Sequence, residues 1–274
     1  MKYLSALLLS ISFVSITTFC RTAAAQSQTL NAAQDSLTET EREKQWFTDV
    51  EYVNTPRLTW GLNTDISYIT QSIRPQRFWR ISNNFLGIGA TDKVNGVGTN
   101  IGAFLDIPLA DNIVGVRFGI TSERTSYQNI EQIGLQSQGM PGTLKMVDLE
   151  QSLSLELHTI TIGASFRRRV INSLFAELGA DAVFLTRSNL NYTERIDDFF
   201  LSGMILPQEY EGELQQTQTY FQAFGGASYN FPWHSGDIFY ILSPYIRYYY
   251  PLTPLTSMVD WRTSRFCLGL EVRW

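Results

Sequence analysis

Only two cysteines occur in the 274 residues, Cys20 and Cys267, and the first lies in a segment with the marks of a signal peptide. With that segment removed an intrachain disulfide is impossible, so no covalent staple holds the fold in an oxidising compartment. Histidine is as scarce, at His158 and His234. Lys and Arg number 21 against 26 Asp and Glu, a formal charge of −5, which leaves no basic excess and makes nucleic acid an unexpected partner. Past the amino terminus no apolar run approaches the roughly twenty residues that a membrane helix needs. That excludes a helical membrane protein and leaves a β-barrel open, since a barrel strand needs only about nine to eleven residues with alternate positions apolar. No GxSxG elbow, HExxH, P-loop or cysteine pair is present, so no cofactor, metal site or catalytic residue is expected.

The amino terminus points to export. Lys2 precedes an apolar run from Leu4 to Ile16, the length of a signal-peptide core and too short for a bilayer. Ala23-Ala24-Ala25 then forms an A-x-A site that predicts cleavage before Gln26, so residues 1–25 read as a signal peptide. Cys20 raises a lipoprotein as the competing reading, but Phe19 stands where lipid attachment wants a small residue. Removing 25 of 274 residues leaves about 249, enough for one large all-β domain. Residues 26–56 read as a polar periplasmic segment, with Leu30, Leu37 and a charged run from Glu39 to Lys44. From residue 57 to 274 the pattern changes.

The clearest stretch is the last. Phe266, Leu268, Leu270, Val272 and Trp274 take every second position, with Cys267, Gly269, Glu271 and Arg273 between them. Period two puts one set on each face of a strand. A sandwich strand with a buried Trp is the alternative. Seven more segments alternate in the same way. They run over 57–70 (Leu58, Trp60, Leu62, Ile66 and Tyr68 on one parity), 99–109 (Ile101, Ala103, Leu105, Ile107), 113–123 (Val114, Val116, Phe118, Ile120), 153–168, 174–186 (Ala176, Leu178, Ala180, Ala182, Phe184), 215–231 (Phe221 to Tyr229) and 239–251 (Leu242, Ile246, Tyr248, Tyr250). The fourth changes parity near His158, which suggests a β-bulge or a strand that continues above the membrane.

Connection lengths then predict the topology. Links after segments two, four and six are short, while those after one, three, five and seven are long, about 28, 28, 28 and 11 residues on this parse. Alternation of tight and extended links is expected of an eight-stranded antiparallel up-and-down transmembrane β-barrel with both termini in the periplasm. Trp60, Tyr229, Phe231, Trp233 and Trp274 fall at one predicted rim, and Tyr68, Phe184, Tyr248 and Tyr250 at the other. Two aromatic belts suit the two interfaces.

The inward parity collects a charged set: Asp65, Asp106, Arg117, Glu177, Asp181, Arg247, Arg265, Glu271 and Arg273. Four arginines nearly balance five carboxylates, and an eight-stranded barrel is only wide enough for its side chains, so a lumen plugged by ion pairs is expected. A charged permeation path is the functional alternative. Glu177 and Asp181 could instead be a general acid and base. His158 and His234 are expected at opposite ends, away from a common metal or hydrolase site.

The stretches IGAFLDIPLADNIVGVRFGI, LFAELGADAVF, SPYIRYYYP and FCLGLEVRW resemble small outer-membrane β-barrels of the OmpA/OmpX-like kind and, more closely, PorT-like proteins, over residues 57 to 274. The resemblance implies residence in the outer membrane of a Gram-negative bacterium, contact with outer-membrane lipid, and a terminal strand, Phe266 to Trp274, read by the barrel assembly machinery as an insertion signal. It often comes with no assigned activity. The function expected is non-enzymatic: a plugged barrel with external loops, around 138–142 and 197–201, for an external ligand or for envelope structure. A barrel enzyme acting on lipid or peptide through His158, with Ser154 or Glu156 beside it, and a narrow diffusion channel are the alternatives.

Overall fold

The computed structural model describes residues 57–75, 91–110, 112–136, 144–171, 173–196, 208–214, 216–235, 238–257 and 259–274. The signal peptide, the polar segment 26–56 and the loop stretches 138–142 and 197–201 lie outside the described residues.

All regular structure among the described residues is antiparallel strand. The strands are β1 (Thr59–Pro75), β2 (Thr91–Leu109), β3 (Asn112–Gln136), β4 (Leu144–Ile171), β5 (Leu174–Ile196), β6 (Gln208–Gly212), β7 (Tyr220–Tyr229), β8 (Phe231–Ser235), β9 (Ile238–Pro251) and β10 (Val259–Arg273). Eight staves close into a ring: β1 through β5 in sequence, then β7 with β8, then β9, and β10 back to β1. β7 and β8 are one stave with a break at Asn230, since both pair with β9, over Gln222–Ser228 and Phe231–Ser235 respectively. β6 is off this path and pairs with the upper end of β5, on the edge that β7 takes lower down.

Closure runs the full length of the seam. β1 and β10 pair from Gly61↔Arg273 to Pro75↔Val259, and Trp60 and Trp274 exchange backbone bonds N to O of 3.1 and 3.5 Å. Their rings meet edge to face at 4.3 Å. A closed ladder leaves no unpaired backbone edge for hydrocarbon, the condition a membrane-spanning sheet must meet. Both chain ends of the ring lie on the side of the tight connections, of which β2–β3 turns through Ala110 at a φ of 51°.

The outward face gives the position of the membrane. On β1 the exposed set is Leu58, Trp60, Leu62, Ile66 and Tyr68, and on β10 it is Phe266, Leu268 and Leu270. From Leu58 to Tyr68, ten steps of about 3.3 Å at a tilt of about 40° rise about 25 Å, the height of the apolar band of an outer-membrane barrel. A closed ring with this outward apolar band is a membrane-spanning β-barrel.

Above that band the chemistry of the two faces exchanges while the alternation of the strands continues. On β1 the inward residues change from Asn63, Asp65 and Ser67 to Ile69 and Ile73, and the outward ones from Ile66 and Tyr68 to Thr70, Ser72 and Arg74. On β4, reading upward, Arg167 and Ser165 point in and Phe166 and Ile162 point out; then Leu157, Leu155 and Leu153 point in while His158, Glu156 and Ser154 point out. β10 does the same, with Trp261 and Val259 inward above Arg265. Ile73, the three leucines, Val259 and Trp261 form one apolar core with Val94, Val183, Leu190, Tyr192 and Tyr220, capped by Leu214 and Leu255. The cap is tied down by Gln218 N to Leu255 O (3.1 Å) and Leu214 N to the Ser188 hydroxyl (2.9 Å). The barrel is thus a membrane-embedded lower part with a water-exposed, apolar-cored upper part.

This exchange corrects several expectations. Strand extends into each of the links of about 28 residues: β3 and β4 run to 25 and 28 residues and β5 to 23. β4 keeps one parity throughout, so the apparent phase change near His158 is the second of its two readings, a strand leaving the membrane. The bulge is on the neighbouring strand: His158 pairs with Arg187 and Thr159 with Leu185, which leaves Thr186 unmatched. The link expected over 232–238 also shortens, because β8 extends to Ser235.

The sensitivity of each face to charge should switch sides along β4. Ile162→Arg, outward in the lipid zone, should cost about 2–4 kcal/mol if near the midplane. Leu155→Arg, inward above it, should cost about 4 kcal/mol or more, because it buries an unpaired charge. Ser154→Arg should stay within about 0.5 kcal/mol of wild type. Urea unfolding of barrels inserted in vesicles measures all three, and a Ser154→Arg penalty equal to that of Ile162→Arg would contradict the assignment.

Candidate functional site

The lumen of the lower part is filled by a charged network built from six staves. Glu271 of β10 and Glu177 of β5 lie at its centre, both fully buried. Arg117 of β3 donates from Nη1 to Glu271 (2.8 Å) and from Nη2 to Glu177, and its Nε donates to the Ser165 hydroxyl at 3.1 Å. Arg247 of β9 donates from Nε to Glu177 at 2.8 Å and also reaches Glu271, which Arg273 contacts as well. Two carboxylates therefore share three guanidinium groups.

A second pair lies toward the tight-turn end. Arg167 donates to Asp106 (2.9 Å) and to the Ser228 hydroxyl (2.9 Å), and Arg273 Nε approaches the same Asp106 oxygen at 3.3 Å. Arg273 Nη1 also donates to Asn230 Oδ1 (2.9 Å) and to the Ser243 hydroxyl (2.7 Å), which anchors the β7–β8 break. Toward the apolar core, Arg265 donates to Glu123 at 2.9 Å. Aromatic faces complete the packing: Arg117 and Arg273 each lie 5.3 Å from the Phe104 ring centre, and Arg247 lies 3.8 Å from that of Tyr245. Gly269 makes room for this, because a Cβ there would land on the Tyr245 ring.

The nine inward charges read from the sequence all line this lumen, but not all form ion pairs. Asp65 accepts from Tyr245 Oη (2.7 Å) and Asn100 Nδ2 (2.9 Å), and Asp181 accepts from Gln222 Nε2 (3.1 Å). Glu177 and Asp181 are four residues apart on one strand, about 13 Å along it, and take different partners, so they are not assembled as an acid and base. Two members were missed. Adding Arg167 and Glu123 makes five arginines to six carboxylates. Glu123 continues the parity of Arg117, and Arg167 continues that of Ser165, so both were readable once β4 is given a single phase.

Above the network the lumen is filled by the apolar core. Trp261 Nε1 and the Thr125 hydroxyl donate to Gln71 Oε1 at 3.1 and 3.2 Å within the apolar core. Higher still, in the water-exposed part of the barrel, Tyr192 donates to Glu194 at 2.5 Å and accepts from Gln151 at 2.9 Å. Burial, with the Glu194 contact adding to it, pushes that phenol above its usual range. A cavity of about 20 Å³ beside Asn63, Asn100, Thr161 and Asp181 is room for about one water molecule.

His158 points outward, with Nε2 3.6 Å from Glu156 Oε1. Ser154 is two further steps along, about 13 Å from His158 on the strand, so the three do not form a relay. His234 lies on β8 at the tight-turn end, and no group of three potential metal ligands occurs among the described residues.

No family model matches this chain, and neither does any curated protein. Among solved structures it is similar to Neisserial surface protein A (14% identity, 78% of this chain and 97% of that one, TM-score 0.33). It is also similar to the attachment invasion locus protein Ail of Yersinia pestis, solved with the heparin analogue sucrose octasulfate (13%, 80% and 99%, 0.34). A third is the outer membrane protease OmpT of Escherichia coli (9%, 80% and 97%, 0.35). At these values no activity or ligand carries across, and the barrel assignment rests on strand pairing and the two faces described above.

The network makes a specific stability prediction. Glu271→Gln leaves Arg117, Arg247 and Arg273 short of a buried counter-charge and should cost about 3–5 kcal/mol. Exposed Glu156→Gln should change stability by less than about 1 kcal/mol. The check is the urea midpoint and slope in vesicles; equal effects would mean that the lumen is hydrated and screened.

Proposed function

We propose that this protein is a non-enzymatic, non-conducting outer-membrane barrel that presents its upper part as a binding or envelope-organising surface. The observation that carries the proposal is the double occlusion of the lumen, by charged side chains below and by the Leu153, Leu155, Leu157 and Trp261 core above. What then stands free is the upper wall. β3 and β4 remain paired to Gln136↔Leu144, beyond the last described β2–β3 pair at Asn95↔Ser126 and the last β4–β5 pair at Leu149↔Ile196. Loops and extensions on a rigid scaffold commonly carry binding.

Planar-bilayer recording tests the occlusion. Wild type should show no steady conductance, and neither should Leu155→Ala, because the charged network still fills the lower lumen. A steady porin-sized open state in wild type would favour the channel reading instead. The same proposal assigns the terminal strand to assembly: deletion of Trp274, which removes its ring and backbone contacts with Trp60, should lower recovery from outer-membrane fractions and leave precursor in the periplasm. Wild-type recovery on a heat-modifiability gel would remove that assignment.

A further inference from the structure

The exterior of β3, β4 and β5 just above the lipid-facing band carries a cationic cluster. The outward apolar residues directly below it are Ile120, Ile160 and Phe184. One step higher Ser122, His158 and Arg187 stand abreast, paired Ser122↔His158 and His158↔Arg187 across the three strands. Another step up, Arg124 stands opposite Glu156. Arg124 and Arg187 are both exposed, and neither forms an ion pair with a described residue. The five lumen arginines, by contrast, all have carboxylate partners. Glu156 is the one carboxylate of this cluster among the described residues, and it approaches His158. At similar height β1 presents Thr70 and Ser72, and β10 presents Ser264 and an Arg262 already paired with Asp260 at 2.7 Å.

The bulge on β5 is a second observation at the same place. Below it the odd residues point inward, as at the fully buried Val183; above it the even ones do, as at Ser188 and Leu190. Unmatched Thr186 shifts the phase, and its hydroxyl donates to the His158 carbonyl at 2.8 Å. If the alternation ran unbroken through Thr186, Arg187 would fall on the inward parity and point into the apolar core. With the bulge, Arg187 points outward at the level where the lipid band ends. Bulges are enriched beside functional sites, where they re-aim a side chain.

We infer that Arg124 and Arg187, with His158 as a further donor, bind a phosphate group carried by an anionic lipid of the outer leaflet. This rests on the outer-membrane placement above. A guanidinium fork matches phosphate geometry, and these two stand at headgroup height. The lipid, rather than free phosphate, is the ligand because its acyl chains would lie on Ile120, Ile160 and Phe184 directly below.

Native mass spectrometry of the full-length barrel in detergent tests this with three probes: bis-phosphorylated lipid A, the same lipid with both phosphates removed, and inorganic phosphate. Wild type should bind the phosphorylated lipid roughly thirty-fold more tightly than the dephosphorylated one. Arg124→Gln with Arg187→Gln should lose about that factor, and each single variant about five-fold. Arg195→Gln, which removes an exposed cation higher on β5, should bind as wild type. Unchanged binding by a double variant that keeps heat-modifiable mobility would overturn the site, as would unchanged binding by both single variants should the double one not fold. Full displacement of the lipid by millimolar inorganic phosphate would overturn its assignment to a lipid. Failure of wild type to insert into vesicles would instead count against the membrane placement.

Discussion

A closed sheet has one alternation and two faces, but the outside of this barrel meets two solvents. Where it meets hydrocarbon, the outward positions must be apolar, and the inward ones are left to polar and charged groups. Where the same strands rise into water, burial of apolar side chains is favourable only on the inside, so the two sets trade faces. The trade occurs on β1, β4 and β10 between neighbouring rungs, at Ser67 to Ile69, Thr159 to Leu157 and Arg265 to Thr263 and Trp261. Everything else described depends on that boundary: a charged lumen below it, an apolar core above it, and a ring of polar side chains around the outside where it falls.

The lower lumen shows how a narrow barrel can hold charge away from water. Desolvation of five arginines and their carboxylates is unfavourable in itself, and their mutual attraction offsets it only when geometry is good and the remaining protons find acceptors. Here Ser165, Ser228, Asn230 and Ser243 accept some of the guanidinium protons that the carboxylates leave, while Nε of Arg167 and of Arg265 has no acceptor among the described residues. Members of the network come from β2, β3, β4, β5, β9 and β10, so it forms only when the ring has closed. The pairing of Glu271 with arginines from three strands makes register and closure one event.

Much of the fold was legible in the sequence. Wherever the outer solvent is lipid, as in Val114 to Ile120 or Phe266 to Trp274, period-two apolar residues report both the strand and its outward face. The upper strand halves were not legible on the same rule, because there the apolar parity marks the inside. Ile69 and Ile73 carry the opposite phase to Ile66 and Tyr68, and on β4 the leucines at 153, 155 and 157 were read as a break in phase. The candidate site followed the same limit. Arg117, Glu177, Arg247 and Glu271 were visible beside strong lipid-facing neighbours, whereas Arg167 was lost with the phase of β4. Arg187 was hidden for another reason, since a single bulged residue, Thr186, has no signature in composition or spacing.

The exchange of faces is tested most directly by nitroxide scanning along β4 from 150 to 168, reading accessibility to oxygen, which partitions into lipid, and to a water-soluble nickel complex. Even positions from 160 to 166 should favour oxygen, and even positions from 150 to 156 should favour nickel. Inward positions 153, 155, 157, 165 and 167 should be shielded from both. Oxygen accessibility that continues up the even positions to 150, or nickel access at 153 to 157, would contradict the account.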